Sequence, residues 1–463
     1  MAWISAIFSI VLTLVSVFLR SIAQNTDQQV FNLDNPNPRY REEASLLGGS
    51  RGTLRRFSNP DTLSAVVGVA ESHDLDIWQI TANYVDIYFP SQTELPEELK
   101  KISYTEEEIN ATRDIDAWKV SSSTFGVSSE WNLSTIWPDE NEFHSNYHPS
   151  YEIDMFIYEL AEGFPGMVQV VHLGHSAEER EMLGIKLSKR PPKNLKPNVA
   201  KQSFVIMGAQ HAREWVATAT SLYLAHSLVT SLEHLLNHYD FYIIPNPNPD
   251  GYTYTWEFDR FWYKNRQIMG PNEKCTGLDM GRNWGYKWKD HATGGGDNFD
   301  DEYLQNKDDT PVDPCSHWYP GHRAFESPEV NNIANFITTL SNRKAFLDLR
   351  TYGQMLSPPY SYSCTVYPRE SENQFEAAIG AAQALGRVHG TKVRVGTLCE
   401  QLYQAPGNVI DWMYKKSGIE YSYAVHLRDT GTYGFSLPAE WIRPVGEETA
   451  AMVQYLANFI QGY

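Results

Sequence analysis

The sequence predicts a layered α/β domain that is preceded by a smaller α+β unit. From residue 142 to the end, strand-like apolar runs alternate with segments whose apolar residues recur at helical spacing, as in helices layered on a sheet. Residues 56–122 instead carry short runs in which apolar and polar residues alternate, the pattern of half-buried strands. The chain has 463 residues, of which 42% are hydrophobic, so it is long enough to bury a large core.

The overall charge excludes two classes of partner. The formal net charge is -19 at pH 7, and both nucleic acids and anionic membranes require a basic protein surface. The sequence also contains no P-loop, no G-x-G-x-x-G motif after a strand and no G-x-S-x-G motif. We therefore expect no nucleic-acid partner, and the common nucleotide-binding and serine-hydrolase signatures are missing from the sequence.

The N-terminus predicts secretion. Residues 1–23 contain an apolar run that is followed by small residues at Ser21 and Ala23, as in a cleaved signal peptide. A membrane anchor is the alternative, but the run is short for a span and is interrupted by Ser and Thr. Residues 24–55 are polar without a sustained period and are predicted to be a flexible segment. We expect a secreted protein without a stable membrane anchor.

The cysteines are interpreted in the light of secretion. An even number of cysteines in an oxidising compartment predicts two disulfides, and no pair has the C-x-x-C spacing typical of a zinc cluster. Sequential pairing is one of three connectivities. The four cysteines are Cys275, Cys315, Cys364 and Cys399.

Two glycosylation sequons also agree with secretion. They begin at Asn110 and Asn132 and are plausible sites in a secreted chain.

Within the first unit, residues 76–80 and 84–89 alternate like half-buried strands, and residues 94–99 indicate the start of a helix. Residues 123–141 are predicted to be a linker to the larger domain, 142–463. That domain is predicted to contain helices at 150–164, 216–229, from Pro328 and at the C-terminus, and strands at 168–173, 204–207, 239–244, 345–349 and 421–427.

The stretch between strand 204–207 and helix 216–229 carries the first sign of chemistry. His211 and Glu214 lie there, three residues apart, and imidazole and carboxylate groups both bind zinc. Ligand sites in layered α/β domains lie at the carboxyl ends of strands. Two residues do not complete a site, so a third ligand, a general base and substrate-binding groups are required.

Six ordered motifs resemble those of the zinc metallocarboxypeptidases of the A/B type. The resemblance covers about 142–463, and 56–122 resembles the inhibitory prosegment of that family. It implies a mixed sheet flanked by helices, and removal of C-terminal residues from peptides by a zinc-bound water and a Glu base. The motifs are His211-Ala-Arg-Glu-Trp215, Asn248-Pro-Asp-Gly-Tyr252, Asp279-Met-Gly-Arg-Asn-Trp284, Leu402-Tyr-Gln-Ala405, Ile410-Asp-Trp412 and Leu427-Arg-Asp-Thr-Gly-Thr-Tyr-Gly434.

The resemblance breaks at the residues that perform the chemistry. His211 and Glu214 match two zinc ligands, but Arg350 stands where the family has the third ligand, a His. A guanidinium is always charged and cannot ligate a cation. His426 replaces the general base Glu, and Tyr263 replaces the Arg that stabilises the oxyanion.

The substrate-binding positions are better preserved, although Gly281 replaces the Asn of the pair that binds the substrate's terminal carboxylate. An apolar residue in the specificity pocket suits an apolar C-terminal side chain. The family's substrate-binding positions that survive are Arg213, Arg282, Tyr403 and Ile410.

The charges suggest why such a site can be stable. Arg350 is expected to pair with Glu214, since an unpaired buried charge is costly. The first hypothesis is therefore a catalytically inactive, secreted protein that resembles the inactive carboxypeptidase-like branch of fungi. Such a protein is expected to act outside the cell, in the cell wall or in the vacuole, and to bind peptide or protein C-termini through Arg282 and Tyr403.

Two alternatives remain open. In one, His426 becomes the third ligand of a working zinc enzyme that cleaves apolar C-terminal residues, because two His and one Glu form a competent zinc set. In the other, the pocket is vestigial and the protein has a structural or interaction role. Zinc is thus a candidate cofactor that Arg350 disfavours, and the sequence does not indicate the oligomeric state.

Overall fold

Two sheets organise the structure, which is a computed structural model. The predicted signal peptide 1–23, residues 24–50 and much of the linker lie outside the described residues. Among the helices that are described, none is long and apolar enough to cross a membrane. The described residues are 51–113, 115–116, 118–119, 131–190, 201–270, 275–288 and 313–462.

The first sheet belongs to a small unit, residues 51–110, which we call the N-terminal unit. Its strands are antiparallel in the order β2-β3-β1-β4. Helix α1 (Leu63–Ser72) buries Leu63, Val66 and Ala70 in a cluster that includes Phe57 of β1 and Phe89 of β3. The strands are β1 (Arg51–Phe57), β2 (Asp76–Ile80), β3 (Val85–Pro90) and β4 (Tyr104–Asn110).

Two predictions for this region are wrong. The sequence predicts that 51–55 belong to the flexible segment 24–55, but these residues form part of β1. This strand lies between β3 and β4, and its Leu54 and Phe57 side chains are buried. The helix predicted to start at 94–99 is replaced by turns and the short 3-10 helix Leu99–Lys101. Only Leu99 of that stretch is buried, so no apolar stripe supports a longer helix.

The second sheet has eight strands and is mixed, which confirms the predicted α/β class. Strands β7, β8, β9 and β12 are joined by parallel pairs, and antiparallel pairs add β6, β5 and β10. The order is β11-β10-β12-β9-β7-β8-β6-β5. The strands are β5 (Val168–His175), β6 (Glu181–Leu187), β7 (Gln202–Met207), β8 (Tyr239–Ile244), β9 (Arg343–Arg350), β10 (Met355–Ser357), β11 (Arg394–Val395) and β12 (Tyr421–His426).

Helices cover both faces of this sheet. Phe204 and Ile206 of β7 pack into a cluster with α2, α3, α6 and α9, whereas Val205 and Met207 pack into a cluster with α5 and α8. This alternation follows from the two-residue period of a strand. The helices are α2 (Ser150–Gly163), α3 (Trp215–Val229), α4 (Pro249–Glu257), α5 (Pro328–Thr339), α6 (Ser371–His389), α7 (Leu398–Gln401), α8 (Val409–Lys415) and α9 (Ile442–Gln461).

The parallel strands bring distant residues to one edge of the sheet. The loop after β7 carries His211 and Glu214, β9 ends at Arg350, and β12 ends at His426. Arg350 and His426 are register partners. The carboxyl ends of these strands therefore position the candidate site.

Two disulfides join Cys275 to Cys315 and Cys364 to Cys399. The structure thus selects the sequential pairing from the three connectivities. The first disulfide ties the segment with His317 and Trp318 to the segment that leads to Asp279.

Candidate functional site

The two residues that match zinc ligands are adjacent and buried. His211 is 1% exposed and Glu214 is 2% exposed. The Nδ1 atom of His211 lies 3.0 Å from Oε1 of Glu214. These two atoms would have to converge on any metal ion that the pair held.

Arg350 occupies the space that such an ion would need. Its Nη2 lies 2.7 Å from Nδ1 of His211, and its Nε donates to Oε2 of Glu214 at 3.3 Å. The pair that the sequence predicts between Arg350 and Glu214 is therefore present. Because a guanidinium offers donors only and repels a cation, the residues present do not fit a zinc ion.

Both ring nitrogens of His211 already have partners. Nδ1 lies 2.7 Å from Nη2 of Arg350 and 3.0 Å from Oε1 of Glu214. Because a carboxylate can only accept, Nε2 donates to Oδ1 of Asp279 at 2.8 Å. Neither nitrogen is therefore free to bind a metal ion.

The carboxylates around Arg350 stabilise its positive charge. Burial opposes its positive charge, but Glu214 and Asp348 outweigh this effect and raise the pKa of Arg350. Burial alone would also raise the pKa of Asp279, but His211, Arg282 and Arg350 outweigh it, so that pKa is lowered. Asp348, which accepts from Nη1 of Arg350 at 3.2 Å, has its pKa raised to about 6 by burial, and Arg350 offsets only part of that effect.

His426 does not complete a ligand set. It is 8% exposed, and its Nδ1 has no hydrogen-bond partner within the described part of the chain. Burial, followed by the charges of Arg350 and His211, holds the pKa of His426 well below its usual value. No group of three or more His, Cys, Asp or Glu side chains that could hold a metal ion is found among the described residues.

Tyr263 and Gly281 fit the altered centre. The Tyr263 ring stacks on the His211 ring with centroids 3.8 Å apart, and burial raises the pKa of its phenol, so the group stays neutral. A Cβ atom on Gly281 would lie 3.0 Å from Nε2 of His211 and 3.1 Å from Oδ1 of Asp279. The missing side chain at position 281 therefore lets His211 and Asp279 approach each other.

Arg282 and Tyr403 come together, as the resemblance implies. The Cζ atom of Arg282 lies 5.3 Å from the ring centroid of Tyr403 and 5.8 Å from that of Trp318. The Nε atom of Arg282 donates to Oδ2 of Asp279 at 3.2 Å, and its side chain is 16% exposed. Its terminal Nη groups donate to no carboxylate within the described ranges.

The other two predicted substrate-binding residues are placed differently. Arg213 is 1% exposed, and its Nη1 donates to both carboxylate oxygens of Asp76 in the N-terminal unit at 2.9 Å. Ile410 is fully buried in the apolar cluster that contains Trp284 and Trp412. The structure therefore does not bring these two residues into an open cleft beside Arg282.

Sequence reasoning missed three carboxylates that complete the site, Asp279, Asp348 and Asp76. One signal was available, because Asp348 is a charged residue within the apolar run 345–349 and a buried carboxylate requires a partner. No comparable signal marks Asp76, which precedes a half-buried strand like many surface residues.

Comparison with known proteins agrees with this geometry. Residues 153–452 match the family model described as zinc carboxypeptidase. The chain is 32% identical to the inactive metallocarboxypeptidase ECM14 of Ajellomyces dermatitidis, over 92% of this chain and 75% of that protein. It is 31% identical to the inactive metallocarboxypeptidase ecm14 of Talaromyces marneffei, over 94% of this chain and 76% of that protein.

Solved structures show the same architecture. The crystal structure of thrombin activatable fibrinolysis inhibitor has a TM-score of 0.73 and 28% identity, and the match covers 89% of this chain and 100% of that chain. The crystal structure of carboxypeptidase A from Helicoverpa armigera has a TM-score of 0.72 and 25% identity, over 90% of this chain and 98% of that chain.

Proposed function

The chain belongs to the zinc carboxypeptidase family as a degenerate member, and we propose that it is a secreted protein that binds the C-terminal carboxylate of peptides or proteins without cleaving them. Relatives that match most of its length are named inactive metallocarboxypeptidases. The observation that carries the non-catalytic part is the Arg350 guanidinium, which is bound to both His211 and Glu214.

The remaining catalytic positions support the same conclusion. A general base must accept a proton near neutral pH, and His426 is a buried imidazole whose pKa is held well below its usual value. A developing oxyanion is stabilised by hydrogen-bond donors or a positive charge. Tyr263 is uncharged, and its ring is stacked on His211. Neither residue replaces the function of the group that the family has at that position.

Carboxylate binding is supported by Arg282. Its Nε is held by Asp279 and its guanidinium is hydrogen-bonded to the Tyr403 phenol, which together orient it for a ligand carboxylate. Arginine binds carboxylates with paired hydrogen bonds, and the neighbouring Tyr403 phenol can add a third. Since Ile410 is fully buried, recognition is expected to depend on the carboxylate more than on the side chain of the last residue.

Secretion is supported by the two disulfides, which form and persist in oxidising compartments. The predicted signal peptide agrees with this compartment. We therefore include a role outside the cell, in the cell wall or in the vacuole, in the proposal.

The carboxylate proposal is tested by measuring the affinity of a peptide with a free C-terminus and of the same peptide as an amide. We expect the free acid to bind about tenfold more tightly or better, and Arg282→Ala to abolish the difference. Arg369→Ala, which alters an exposed arginine outside the site, is the matched control. Equal affinity for acid and amide would favour the vestigial pocket, and hydrolysis that a chelator stops would favour the rearranged zinc enzyme.

A further inference from the structure

We propose that Asn110 and Asn132 both carry N-linked glycans, and that the glycan on Asn132 covers the exposed side chains of Ile136 and Trp137. This inference rests on the secretion that is part of the proposed function, because such glycans are attached in the secretory pathway. It does not depend on carboxylate binding. Two observations support it, namely the placement of both sequons in the fold and the apolar surface beside one of them.

The first sequon begins at the last residue of β4. This strand lies at the edge of the first sheet, and only Ile109 of its seven residues is buried. Asn110 is exposed, whereas the next residue, Ala111, is fully buried. The Thr112 hydroxyl donates to Oδ1 of Asn110 at 2.9 Å. The buried alanine therefore anchors the backbone, while the Asn110 carboxamide stays accessible beside the hydroxyl that completes the sequon.

The second sequon has the same alternation of exposed and buried residues. Asn132 and Ser134 are exposed, whereas Leu133 is 1% exposed and belongs to an apolar cluster of the larger domain. The carbonyl oxygen of Leu133 accepts from Nε2 of His226 at 2.7 Å. Asn132 adopts a φ of 53°, a conformation that asparagine tolerates better than most residues. The backbone is thus fixed, and the asparagine side chain is at the surface.

Both asparagines meet the requirements of the transfer reaction. The Nδ2 atom of the asparagine forms a bond to C1 of the first sugar of a lipid-linked oligosaccharide. The bond between C1 and the lipid pyrophosphate breaks, the lipid pyrophosphate leaves, and Nδ2 loses one proton. Since both asparagines are exposed in the fold, a bulky glycan at either position displaces no packed side chain.

An apolar surface lies directly beside the second sequon. Ile136 is 36% exposed and Trp137 is 57% exposed. The backbone N–H of Ile136 donates to the carbonyl oxygen of Asn132 at 3.0 Å, so the sequon and Ile136 belong to one turn. Exposed aromatic rings favour association with another molecule because their burial is strongly stabilising. A glycan on Asn132 begins one turn from this surface and shields it from such contacts.

The first sequon has different surroundings. The neighbouring part of β4 exposes Glu106, Glu107 and Glu108, and charged side chains on an edge strand oppose pairing with another sheet. Loss of the Asn110 glycan therefore uncovers a charged edge instead of an apolar surface. The two sequons form a matched pair, in which the same modification has different consequences.

The modification is tested on the full chain, secreted from a eukaryotic host that glycosylates its secreted proteins. The chain is produced once with its own residues 1–23 and once with a signal sequence of the host in their place. A peptide N-glycosidase, which converts a glycosylated asparagine to aspartate, is combined with peptide mass spectrometry. We expect glycans on Asn110 and Asn132, with only the first lost in Thr112→Ala and only the second lost in Ser134→Ala.

The two forms of the chain separate this inference from the proposed secretion. An unmodified asparagine in the protein that carries the host signal would overturn the proposal for that site. Glycans that appear with the host signal alone would support both sites and would contradict secretion through the chain's own N-terminus.

Sedimentation velocity over a range of concentrations tests the covering role. Ser134→Ala keeps Asn132 and its backbone conformation, and we expect it to self-associate at about tenfold lower concentration than the wild-type protein. Thr112→Ala is the matched control and should behave like the wild type. Adding Trp137→Glu to Ser134→Ala should restore wild-type behaviour. Equal self-association of Thr112→Ala and Ser134→Ala would overturn the covering role, as would a failure of Trp137→Glu to reverse the effect.

Folding of each secreted variant is verified by its thermal unfolding transition and its near-ultraviolet circular dichroism. If Ser134→Ala does not fold, digestion of the folded wild-type protein with the glycosidase removes the glycan without that substitution. The digested wild-type protein should then self-associate more strongly than the digested Trp137→Glu variant. Equal self-association of these two digested proteins would contradict the proposal.

Discussion

Two buried arginines, Arg350 and Arg213, both pair with carboxylates but take their partners from different parts of the chain. Arg350 is bound by His211, Glu214 and Asp348, which all belong to the same domain. Arg213 is bound by Asp76, which belongs to the N-terminal unit. The first cluster is complete within one domain, whereas the second requires another part of the chain. The first therefore excludes a metal ion, and the second fastens two parts together.

Replacing Arg350 with His should give the largest change, because it removes the cation and restores the third ligand, which is the second imidazole of the set. We expect Arg350→His to bind about one zinc ion per chain, as measured by elemental analysis after gel filtration. Peptide hydrolysis should stay undetectable, since His426 and Tyr263 still occupy the base and oxyanion positions.

Arg350→Lys is the control, since it keeps the charge and supplies no imidazole ligand. Stoichiometric zinc in the wild-type protein, lost on His211→Ala, would show that Arg350 does not exclude the metal.

Removing the Arg350 side chain should be the next largest effect. Arg350→Ala leaves Glu214 and Asp348 buried without their cation, and breaking a buried pair in this way costs about 3–5 kcal/mol. We expect the free energy of unfolding, measured by urea titration at neutral pH, to fall by this amount. A loss close to that of Arg369→Ala, which should be within about 0.5 kcal/mol of zero, would show that the Arg350 cluster contributes little to stability.

Acidification should weaken a third region of the protein, around His226. His226 on α3 is fully buried, lies 3.1 Å from the His144 ring and donates to the carbonyl oxygen of Leu133 at 2.7 Å. Burial lowers the pKa of His226 from 6.5 to about 4. The His226 side chain is therefore protonated in the unfolded chain but neutral in the folded one in this window, so its contribution to stability falls as the pH falls from 6.5 to 4.

The expected loss from His226 is about 3 kcal/mol, read from urea titrations at several pH values. The pKa of Asp76 is lowered, because the basic groups around it outweigh the effect of burial, so the ion pair of Arg213 keeps its charges in this window. In the Arg350 cluster, burial raises the pKa of Asp348 to about 6, so this carboxylate takes up a proton in the same window and its contribution to stability changes in the opposite direction. His226→Gln should reduce the pH dependence. An unchanged slope in that variant would assign the acid sensitivity to other groups.

Much of this arrangement could be predicted from local sequence, and the comparison of the two arginines shows where such prediction stops. His211, Glu214 and Arg350 follow predicted strands, so their meeting at one sheet edge could be expected. The pair between Arg350 and Glu214 is expected from the resemblance, which places Arg350 at the third-ligand position. Asp76 lies 137 residues before Arg213 in the chain. Their pairing depends on contact between the N-terminal unit and the larger domain, which no local pattern encodes.

The smallest predicted effect concerns the ring shared by the two clusters. The Tyr263 ring stacks on the His211 ring and lies 4.8 Å from Cζ of Arg213, and no hydrogen bond of its hydroxyl is found among the described residues. Tyr263→Phe should therefore change the free energy of unfolding by less than about 1 kcal/mol, whereas Tyr263→Leu should cost about 2 kcal/mol because the ring contacts are lost.

Urea titration of the two variants measures this difference. If Tyr263→Phe were as destabilising as Tyr263→Leu, the hydroxyl would be the important group, and Tyr263 would belong with Asp279 and Tyr403 in the binding of a ligand. If only the ring matters, the residue at the lost oxyanion position serves packing in both clusters. The same ring would then support His211, a partner of Arg350, and Arg213 itself.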